Sequence, residues 1–505
     1  MDTPRRDPRR WWILGVLCLA LLVLVIDNTV LNVAIPTLVD DLGATPSDIQ
    51  WMIDAYILVF AGLLLTAGSL SDRHGRRRGL VIGLVIFGLA SLAATFAQSP
   101  GQLIAARAAM GVGGAFLMPG TLSILATVFD DDERKKAVAV WSSVLMVGAL
   151  GGPTVGGLLL EHFWWGSVFL LNVPVAALGI VAALLIIPES RGPARRPDLV
   201  GALLSMVGLG ALVWGIIEAS RVGWGAGQVV VALVVAAVGI VAFGLWERRV
   251  PEPMLPLGLF RDRNFSGASL SIVLLAFASG GILLALTQYL QFVLGFSPLK
   301  AGLALAPMIA TVMVFNGVGV VLDKRFGARA AIATGLVLLG VGFALLAGTS
   351  PGDGYGRLVV ALMLTGAGSG TAGPAAVGTL LAALPKDRAG VGSAVNDTVQ
   401  QVGQALSVAV LGTVLTSAFA ARMPETAPAG TRHSVGEALA VAAATGDTGL
   451  ARAARDAFVG AMSIASWAGV VGAVAAVVVA LLVIRRPARP AADDQAADRV
   501  EVPAG

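Results

Sequence analysis

The chain alternates between long apolar runs and short polar segments, and each run is about as long as a membrane helix. A helix needs about 20 mostly apolar residues to cross the hydrocarbon core of a bilayer. By this criterion fourteen runs predict spanning helices in the order six, two and six. The first eight are 12–35, 49–70, 79–97, 103–129, 137–160, 166–187, 199–219 and 229–246. The last six are 267–294, 301–322, 328–347, 358–384, 391–418 and 458–484.

The polar segments divide the chain into parts. We predict a cytoplasmic tail (1–11), a six-helix bundle (12–188), a linker with two inserted helices (189–250), a second six-helix bundle (251–484) and a tail (485–505). Within the second bundle, the loop 421–457 is too polar to span, and its pieces 435–444 and 449–457 predict short helices on the outer surface. The Pro/Ala/Asp-rich composition of the C-terminal tail predicts disorder. The predicted fold is an all-α polytopic membrane protein.

Composition agrees with this class. Hydrophobic residues make up 56% of the chain and charged residues 13%, whereas soluble domains carry about 25% charged residues. The single cysteine, Cys18, excludes an internal disulfide, and the three histidines fall in loops, so no metal site is predicted. The net charge of +4 reflects basic loops at one membrane face rather than nucleic-acid binding.

The loops also predict an orientation. Most of the 35 Lys and Arg residues lie in the segments that fall on the same side of the membrane as both chain ends. Because positive loops face the cytoplasm, both termini are predicted to be cytoplasmic. The basic N-terminus resembles a signal peptide, but the run that follows it is too long and contains Asp27, so we interpret it as a retained first helix.

Asp27 is the strongest candidate for chemistry, because it lies inside the first apolar run. A charged residue near the middle of a membrane helix costs about 2.5–3.5 kcal/mol on insertion scales. Asp27 lies about 22 Å along its helix, and Asp54 and Arg107 each lie about 8 Å below the outer ends of their own spans. All three therefore fall at a similar depth and could share a polar cavity. The alternative for Asp54 and Arg107 is an interfacial position with the side chain reaching water.

Polar residues also crowd one span of the second bundle. Asp397 lies about 9 Å from the inner end of its helix, and Asn396, Gln400, Gln401 and Gln404 accompany it. This pattern predicts a polar surface that meets a substrate. Hydrogen bonding between helices explains it equally well.

Two further motifs indicate moving parts. Gly148, Gly152, Pro153, Gly156 and Gly157 place small residues at helical spacing around a proline, which allows close helix packing and a bend. Packing alone would explain the glycines.

The turn after the second span is the most specific motif. It contains Gly68, Asp72, Arg73, Gly75 and Arg76. Membrane-face anchoring accounts for the arginines but not for Asp72, which could cap a helix or pair with an arginine in one conformation only. A related segment at 319–329 follows the second span of the last six, which predicts parallel repeats with a site between the halves.

These motifs together resemble the major facilitator superfamily. The turn 68–78 resembles its loop signature, 148–157 resembles the antiporter signature of its drug exporters, and 27–36 resembles the first-helix signature of fourteen-helix drug/proton antiporters of the EmrB/QacA type. The segment 107–114 resembles the fourth-helix signature, although Met110 stands where a glutamine is common. The segment 51–56, with Trp51 and Tyr56, is similar to the branch that exports quaternary ammonium compounds.

The resemblance implies a proton-coupled exporter in a bacterial inner membrane, and it does not fix the substrate. Our hypothesis is that the cargo is a lipophilic, cationic drug. Asp27 and Arg107 are then the proton-handling pair. The expected substrate-binding residues are Asp54, Asp397, Trp51, Tyr56 and Gln401. The expected conformational switch is formed by the glycine motif and the turn.

No phosphate-binding loop occurs in the sequence, so we expect a proton gradient, and no cofactor, to supply the energy. Small-molecule substrate, protons and lipid are the expected partners, without nucleic acid or an obligate protein partner. One alternative is export of a metabolite made by the same cell. A non-transporting receptor should have lost the glycine motifs, and an enzyme is disfavoured because the spans contain no catalytic constellation.

Overall fold

The computed structural model describes residues 8–484 except 130, 193–197, 254, 256, 351 and 383–388. Throughout this part of the chain the secondary structure is helical, and the predicted all-α class is confirmed. The tail 485–505, which we predict to be disordered, lies outside the described residues, as do residues 1–7.

The first bundle follows the predicted order of spans. Its helices are α1 (Arg10–Leu42), α2 (Pro46–His74), α3 (Arg76–Thr95), α4 (Pro100–Val128), α5 (Asp131–His162), α6 (Ser167–Leu170) and α7 (Asn172–Ile186). The predicted sixth span is divided into α6 and α7 at Leu171. Thr45 begins α2 with a capping box, in which its hydroxyl accepts from the Asp48 amide while the Asp48 carboxylate accepts from the Thr45 amide.

The two inserted helices and the second bundle follow. They comprise α8 (Leu199–Val222), α9 (Gly227–Glu247), a 3-10 turn (Leu257–Arg261), α10 (Arg263–Gln288), a π-helical turn (Tyr289–Val293), α11 (Pro298–Ala304), α12 (Ala306–Phe326), α13 (Ala328–Ala347), α14 (Gly354–Ala382), α15 (Ala389–Ala420), a 3-10 turn (Ala429–Arg432), α16 (Val435–Thr445) and α17 (Thr448–Val483). The predicted span 301–322 is divided into α11 and α12 at Leu305.

The helix lengths suit a membrane. Thirteen helical stretches in the part of the chain that the structure describes are long and apolar enough to cross a bilayer. α5 stands at the remaining predicted span with 32 residues, which correspond to a length of about 48 Å at about 1.5 Å per residue.

One prediction for the outer loop is confirmed and another is wrong. α16 occupies the segment predicted as a short surface helix at 435–444. The segment 449–457 is not a separate helix but the first turns of α17, which begins at Thr448. The side chain of Asp447 caps this helix by accepting from the Leu450 amide. Ala454 and Ala457 are buried there. Burial of this small-residue face against the bundle explains why the helix extends beyond its apolar run.

The buried apolar residues form two clusters. One is built mainly from α1–α8 and the other from α10–α17. Ala405 and Ala409 of α15 belong to the first cluster, because α15 packs against α2. α8 lies at this junction, with Met206 against Gly62 of α2. α8 therefore joins the two halves. The exact domain boundaries stay a prediction.

Two turns define one end of the molecule. Gly75 between α2 and α3, and Gly327 between α12 and α13, both have positive φ values (125° and 85°) and end one helix where the next begins. Arginine and lysine residues flank both turns. We call this end the basic face and the opposite end the outer face.

The halves approach each other closely towards the outer face. Gln291 donates a 3.0 Å hydrogen bond to the Val33 carbonyl, and a side chain at Gly412 of α15 would overlap Gln50 of α2. A side chain at Gly302 of α11 would likewise overlap the carbonyl of Pro153. These contacts close the space between the halves at the outer face.

Candidate transport site

Asp27 and Arg107 meet in the interior of the first bundle. α1 supplies the carboxylate and α4 the guanidinium, and each residue is 1% exposed. Arg107 Nη1 donates a hydrogen bond to Asp27 Oδ2, and Arg107 Nε donates to the Met52 carbonyl at 3.0 Å. The predicted proximity of these two residues is therefore observed. Breaking a buried ion pair by removing one partner typically costs about 3–5 kcal/mol, because it leaves a buried charge uncompensated.

Asn172 completes the surroundings of Asp27. Its Nδ2 donates to Asp27 Oδ1 at 2.9 Å and to Ser91 Oγ at 2.9 Å. Ser91 in turn donates to the Phe169 carbonyl at 2.9 Å. Asn172 is absent from the predicted site residues. Its signal was an amide in an otherwise apolar span, at the break between α6 and α7.

Tyr56 belongs to the same cluster. Its ring lies 4.5 Å from Arg107 Cζ, a cation–π distance, and is stacked on Phe60 with centroids 5.7 Å apart. Tyr56 is 1% exposed, whereas Trp51, also predicted to bind substrate, is half-buried. Met110 places its sulfur 3.9 Å from Arg107 Nη1. In this conformation Tyr56 therefore supports Arg107 rather than facing a cavity.

Asp54 does not join this cluster through a hydrogen bond. Asp54 is 0% exposed, and neither of its carboxylate oxygens has a hydrogen-bond partner among the residues that the structure describes. Asp54 lies one helical turn from Gln50, which contacts α15 at Gly412. Because residues four apart share a helix face, Asp54 is placed on the side of α2 that meets the second half. The three charged residues share a depth, but only two of them are in contact.

Asp397 lies far from Asp54 along the bundle axis. It is half-buried on α15 and accepts a 3.1 Å hydrogen bond from Asn396, and Gln401 one turn on is also half-buried. Asp397 lies fifteen residues before Gly412, so it is about 22 Å towards the basic face, whereas Asp54 is about 6 Å below Gln50. The two carboxylates therefore sit about 16 Å apart in depth.

The glycine motif packs α5 against α1. Side chains added at Gly148, Gly152 and Gly156 would collide with Val25, Thr29 and Val30 in turn. These α1 residues surround the position of Asp27 along the helix.

The rest of the motif faces the second half. A side chain at Gly157 would meet the backbone of Leu299 in α11, and Pro153 lies against Gly302. The motif thus contacts α1 on one side and α11 on the other.

The basic turn is held by an ion pair and a strap. Arg76 Nε donates to Asp72 Oδ1 at 2.7 Å, so Asp72 pairs with an arginine, while Glu189 accepts from the Arg77 amide at 3.0 Å. Gly192 donates its amide to the Asp72 carbonyl at 2.9 Å. Gly68 packs on Pro119 of α4, and Arg73 is exposed. The segment 187–192 is thereby tied to the turn.

These features define a class of protein. A polytopic helical bundle with buried ionisable groups, close contacts between its halves and glycine-lined interfaces has the structure of a secondary transporter. The Major Facilitator Superfamily family matches residues 17–408. The chain therefore belongs to the Major Facilitator Superfamily and is a transporter rather than an enzyme.

Similar proteins agree. The multidrug efflux pump LfrA of Mycolicibacterium smegmatis is 37% identical over 496 residues, covering 93% of this chain and 97% of LfrA. The puromycin resistance protein pur8 of Streptomyces alboniger is 40% identical over 448 residues, covering 86% and 89%. A crystal structure of a bacterial homolog of the lysosomal transporter Spinster, inward-facing and unoccupied, superposes with a TM-score of 0.66 at 18% identity, covering 95% of this chain and 98% of that one. The predicted major facilitator fold is confirmed.

Proposed function

We propose that the protein is a proton-coupled antiporter that exports lipophilic, cationic drugs and antiseptics across the bacterial inner membrane. The observation that carries this proposal is the Asp27–Arg107 ion pair, buried with Asn172 inside a member of a transporter superfamily. Ionisable residues at membrane depth typically mark ion pathways or proton relays. The similarity to a multidrug efflux pump supports drugs as cargo.

Proton handling follows from the surroundings of Asp27. Burial disfavours the ionised form of a carboxyl group, and a neighbouring guanidinium favours it. Here Arg107 donates a hydrogen bond to one carboxylate oxygen of Asp27 and Asn172 donates to the other. A change of access state that withdraws Arg107 would favour proton uptake. Because coupling is reciprocal, cargo binding that promotes proton release must itself be weakened by protons.

A cationic cargo would find acidic groups along the pathway. Asp54 has two oxygens without a partner on the face of α2 that meets the second half, and Asp397 is half-buried beside Gln401 about 16 Å deeper. We assign these two carboxylates to the charge of the cargo, and Trp51 to its apolar body. Quaternary ammonium compounds combine a positive charge with an apolar body.

The glycine motif and the basic turn are the proposed moving parts. The motif connects α1, which carries Asp27, with α11 of the second half. The Asp72–Arg76 pair and the strap 187–192 hold the turn in the described conformation. Rearrangement of both would accompany opening towards the outside.

The proposed orientation of the chain in the membrane rests on the distribution of its positive charges. Lys and Arg flank the turns at the basic face, and positively charged loops face the cytoplasm. The described conformation, with the halves in contact near the outer face, would then be closed towards the outside of the cell.

Export of an endogenous metabolite is the second candidate. It is favoured by the 40% identity to a puromycin resistance protein from a Streptomyces species. A neutral or anionic cargo would not need the charges of Asp54 and Asp397. Transport unaffected by Asp54→Asn together with Asp397→Asn would favour this candidate over cation export.

Reconstituted protein in liposomes tests the proposal. An imposed proton gradient should drive ethidium or benzalkonium movement by the wild-type protein. Asp27→Asn should abolish driven transport while retaining exchange of labelled for unlabelled cargo, which needs no proton. Glu425→Gln, a change of an exposed loop carboxylate, is the matched control. Driven transport by Asp27→Asn at the wild-type rate would refute the role of Asp27.

A further inference from the structure

A large cavity lies at the outer face, away from the Asp27 cluster. It has a volume of about 1040 Å³ and is bounded by the α1–α2 connection (residues 39–47), the end of α8, the π-helical turn and the segment 430–440, which includes the first turns of α16. Drug-sized ligands typically occupy cavities of about 300–1,000 Å³. The cavity is therefore large enough for a whole drug molecule.

Its walls combine negative charge with apolar surface. Asp40 and Glu437 are the acidic residues among those that line it, and none of the lining residues is a lysine or an arginine. Val39, Phe292 and Leu439 contribute apolar surface. Arg455, which donates to the Phe292 carbonyl at 3.3 Å from α17, is not part of the lining. A cleft lined by one sign of charge concentrates ligands of the opposite sign.

The cavity narrows towards the space between the two halves. A small pocket of about 30 Å³ continues from it, shares Val39, Phe292 and His433 with it, and ends among Gln50, Gln288 and Gly412. Asp54 lies about 6 Å beyond Gln50, towards the basic face. The cavity therefore lies at the outer end of the region in which the two halves contact each other.

We propose that this outer cavity is a second binding site of the transporter, which holds a lipophilic organic cation between Asp40 and Glu437 after it has passed the contact between the halves. The inference rests on the proposed export of cations and adds where the cargo is held before release. α16 forms one wall of the site, which gives the otherwise unassigned loop 421–457 a function. Both carboxylates are exposed, so binding is weak enough to permit release.

Cysteine protection tests occupancy directly, because Cys18 is the only cysteine of the chain. In a Cys18→Ala background, Ala440→Cys places a thiol on the cavity wall, and Ala444→Cys places one on an exposed part of α16 outside the lining. Full-length protein in lipid nanodiscs is labelled with a maleimide. Tetraphenylphosphonium should slow labelling at position 440 at least threefold and leave position 444 unchanged.

Charge is tested with a pair of probes of the same shape. Tetraphenylborate carries the opposite charge and should not protect position 440. Asp40→Asn with Glu437→Gln should raise the tetraphenylphosphonium concentration needed for protection by about 3–10-fold, since each exposed charge pair contributes modestly. Glu425→Gln, which changes an exposed loop carboxylate outside the lining, is the control. Equal protection by both probes, or protection that the double variant leaves unchanged, would overturn the inference.

The same assay separates this inference from the proposed function. With Asp27→Asn, driven transport should be lost while tetraphenylphosphonium still protects position 440. Protection in a wild-type protein that shows no driven transport would remove the proposed function and leave the site. Driven transport without protection would remove the inferred outer site and leave the proposed function.

Discussion

Asp27 and Asp54 are both buried in the first bundle, yet their surroundings differ. Asp27 accepts hydrogen bonds from Arg107 and Asn172 on its two oxygens, whereas both oxygens of Asp54 lack a partner in the described part of the chain. Asp27 therefore belongs to a complete hydrogen-bond network, whereas Asp54 is a buried carboxylate that could accept hydrogen bonds from a further partner. A buried polar group without a partner lowers stability by about 1–3 kcal/mol. This difference in surroundings is the basis for the proposed roles, in which Asp27 handles the proton and Asp54 meets the charge of the cargo.

The largest effect on stability is expected from variants that remove one member of the Asp27–Arg107 pair. Asp27→Leu leaves Arg107 as an uncompensated buried charge and should lower the free energy of unfolding by about 3–5 kcal/mol. Arg107→Met should leave Asp27 as an uncompensated buried charge and lower the free energy of unfolding by a similar amount. The double variant should be more stable than either single one, because no buried charge remains. Thermal unfolding in nanodiscs measures this, and additive losses in the double variant would contradict the ion pair.

A smaller effect is expected from the third member of the network. Asn172→Leu removes a donor to a charged group, which is worth about 1.5–3 kcal/mol, and leaves the Asp27–Arg107 pair in place. We expect lower stability and a shift in the pH dependence of driven transport. Asn32→Leu, on the same helix as Asp27 and donating its amide to the Asn28 carbonyl, should shift neither the pH dependence nor the stability as much. A pH profile identical to wild type for Asn172→Leu would contradict its role beside Asp27.

Packing of α1 offers a third way to sharpen the comparison. Gly152→Ala would place a methyl group on Thr29, two residues from Asp27, and overpacking typically costs about 1–3 kcal/mol. Gly151→Ala is a matched control, since a Cβ there meets nothing within 4 Å. Driven transport should fall strongly for the first variant and little for the second. Equal transport by both would show that the close approach of α5 to α1 is not needed.

The smallest effect on stability is expected at Asp54. Asp54→Asn keeps the shape of the side chain and breaks no described hydrogen bond, so the free energy of unfolding should change by less than about 1 kcal/mol. Export of cations should nevertheless fall while export of neutral compounds persists. Resistance profiles of a drug-sensitive host measure this. A large loss of stability would show that Asp54 has a structural partner after all.

The sequence predicts the depth of a residue along its helix much better than it predicts which neighbouring helix its side chain faces. Residue counts placed Asp27, Asp54 and Arg107 at one level, and the fold, the helix order and the contact of Asp27 with Arg107 agree with that. Which residues touch depends on the rotation of each helix about its axis, which packing fixes and a nearly uniform apolar run does not reveal. Asp54 therefore points towards the second half, and Tyr56 lies under Arg107.

Two other differences have local physical causes. The sequence does not reveal Asn172, because a single amide in an apolar span is typical of an isolated helix contact, and only the packing of α7 against α1 places it beside Asp27. The sequence predicts the first turns of α17 as a separate short helix because Arg452, Arg455 and Asp456 interrupt the apolar pattern, although the small residues among them pack well where helices approach closely. Both cases concern burial by neighbours that are distant in sequence.

The most direct test of the central claim is proton release from purified protein. In weakly buffered detergent solution with a pH-sensitive dye, addition of a cationic cargo should release protons from the wild-type protein, and Asp27→Asn should bind the same cargo without releasing them. Equal proton release by wild type and Asp27→Asn would contradict the claim that Asp27 exchanges its proton for cargo.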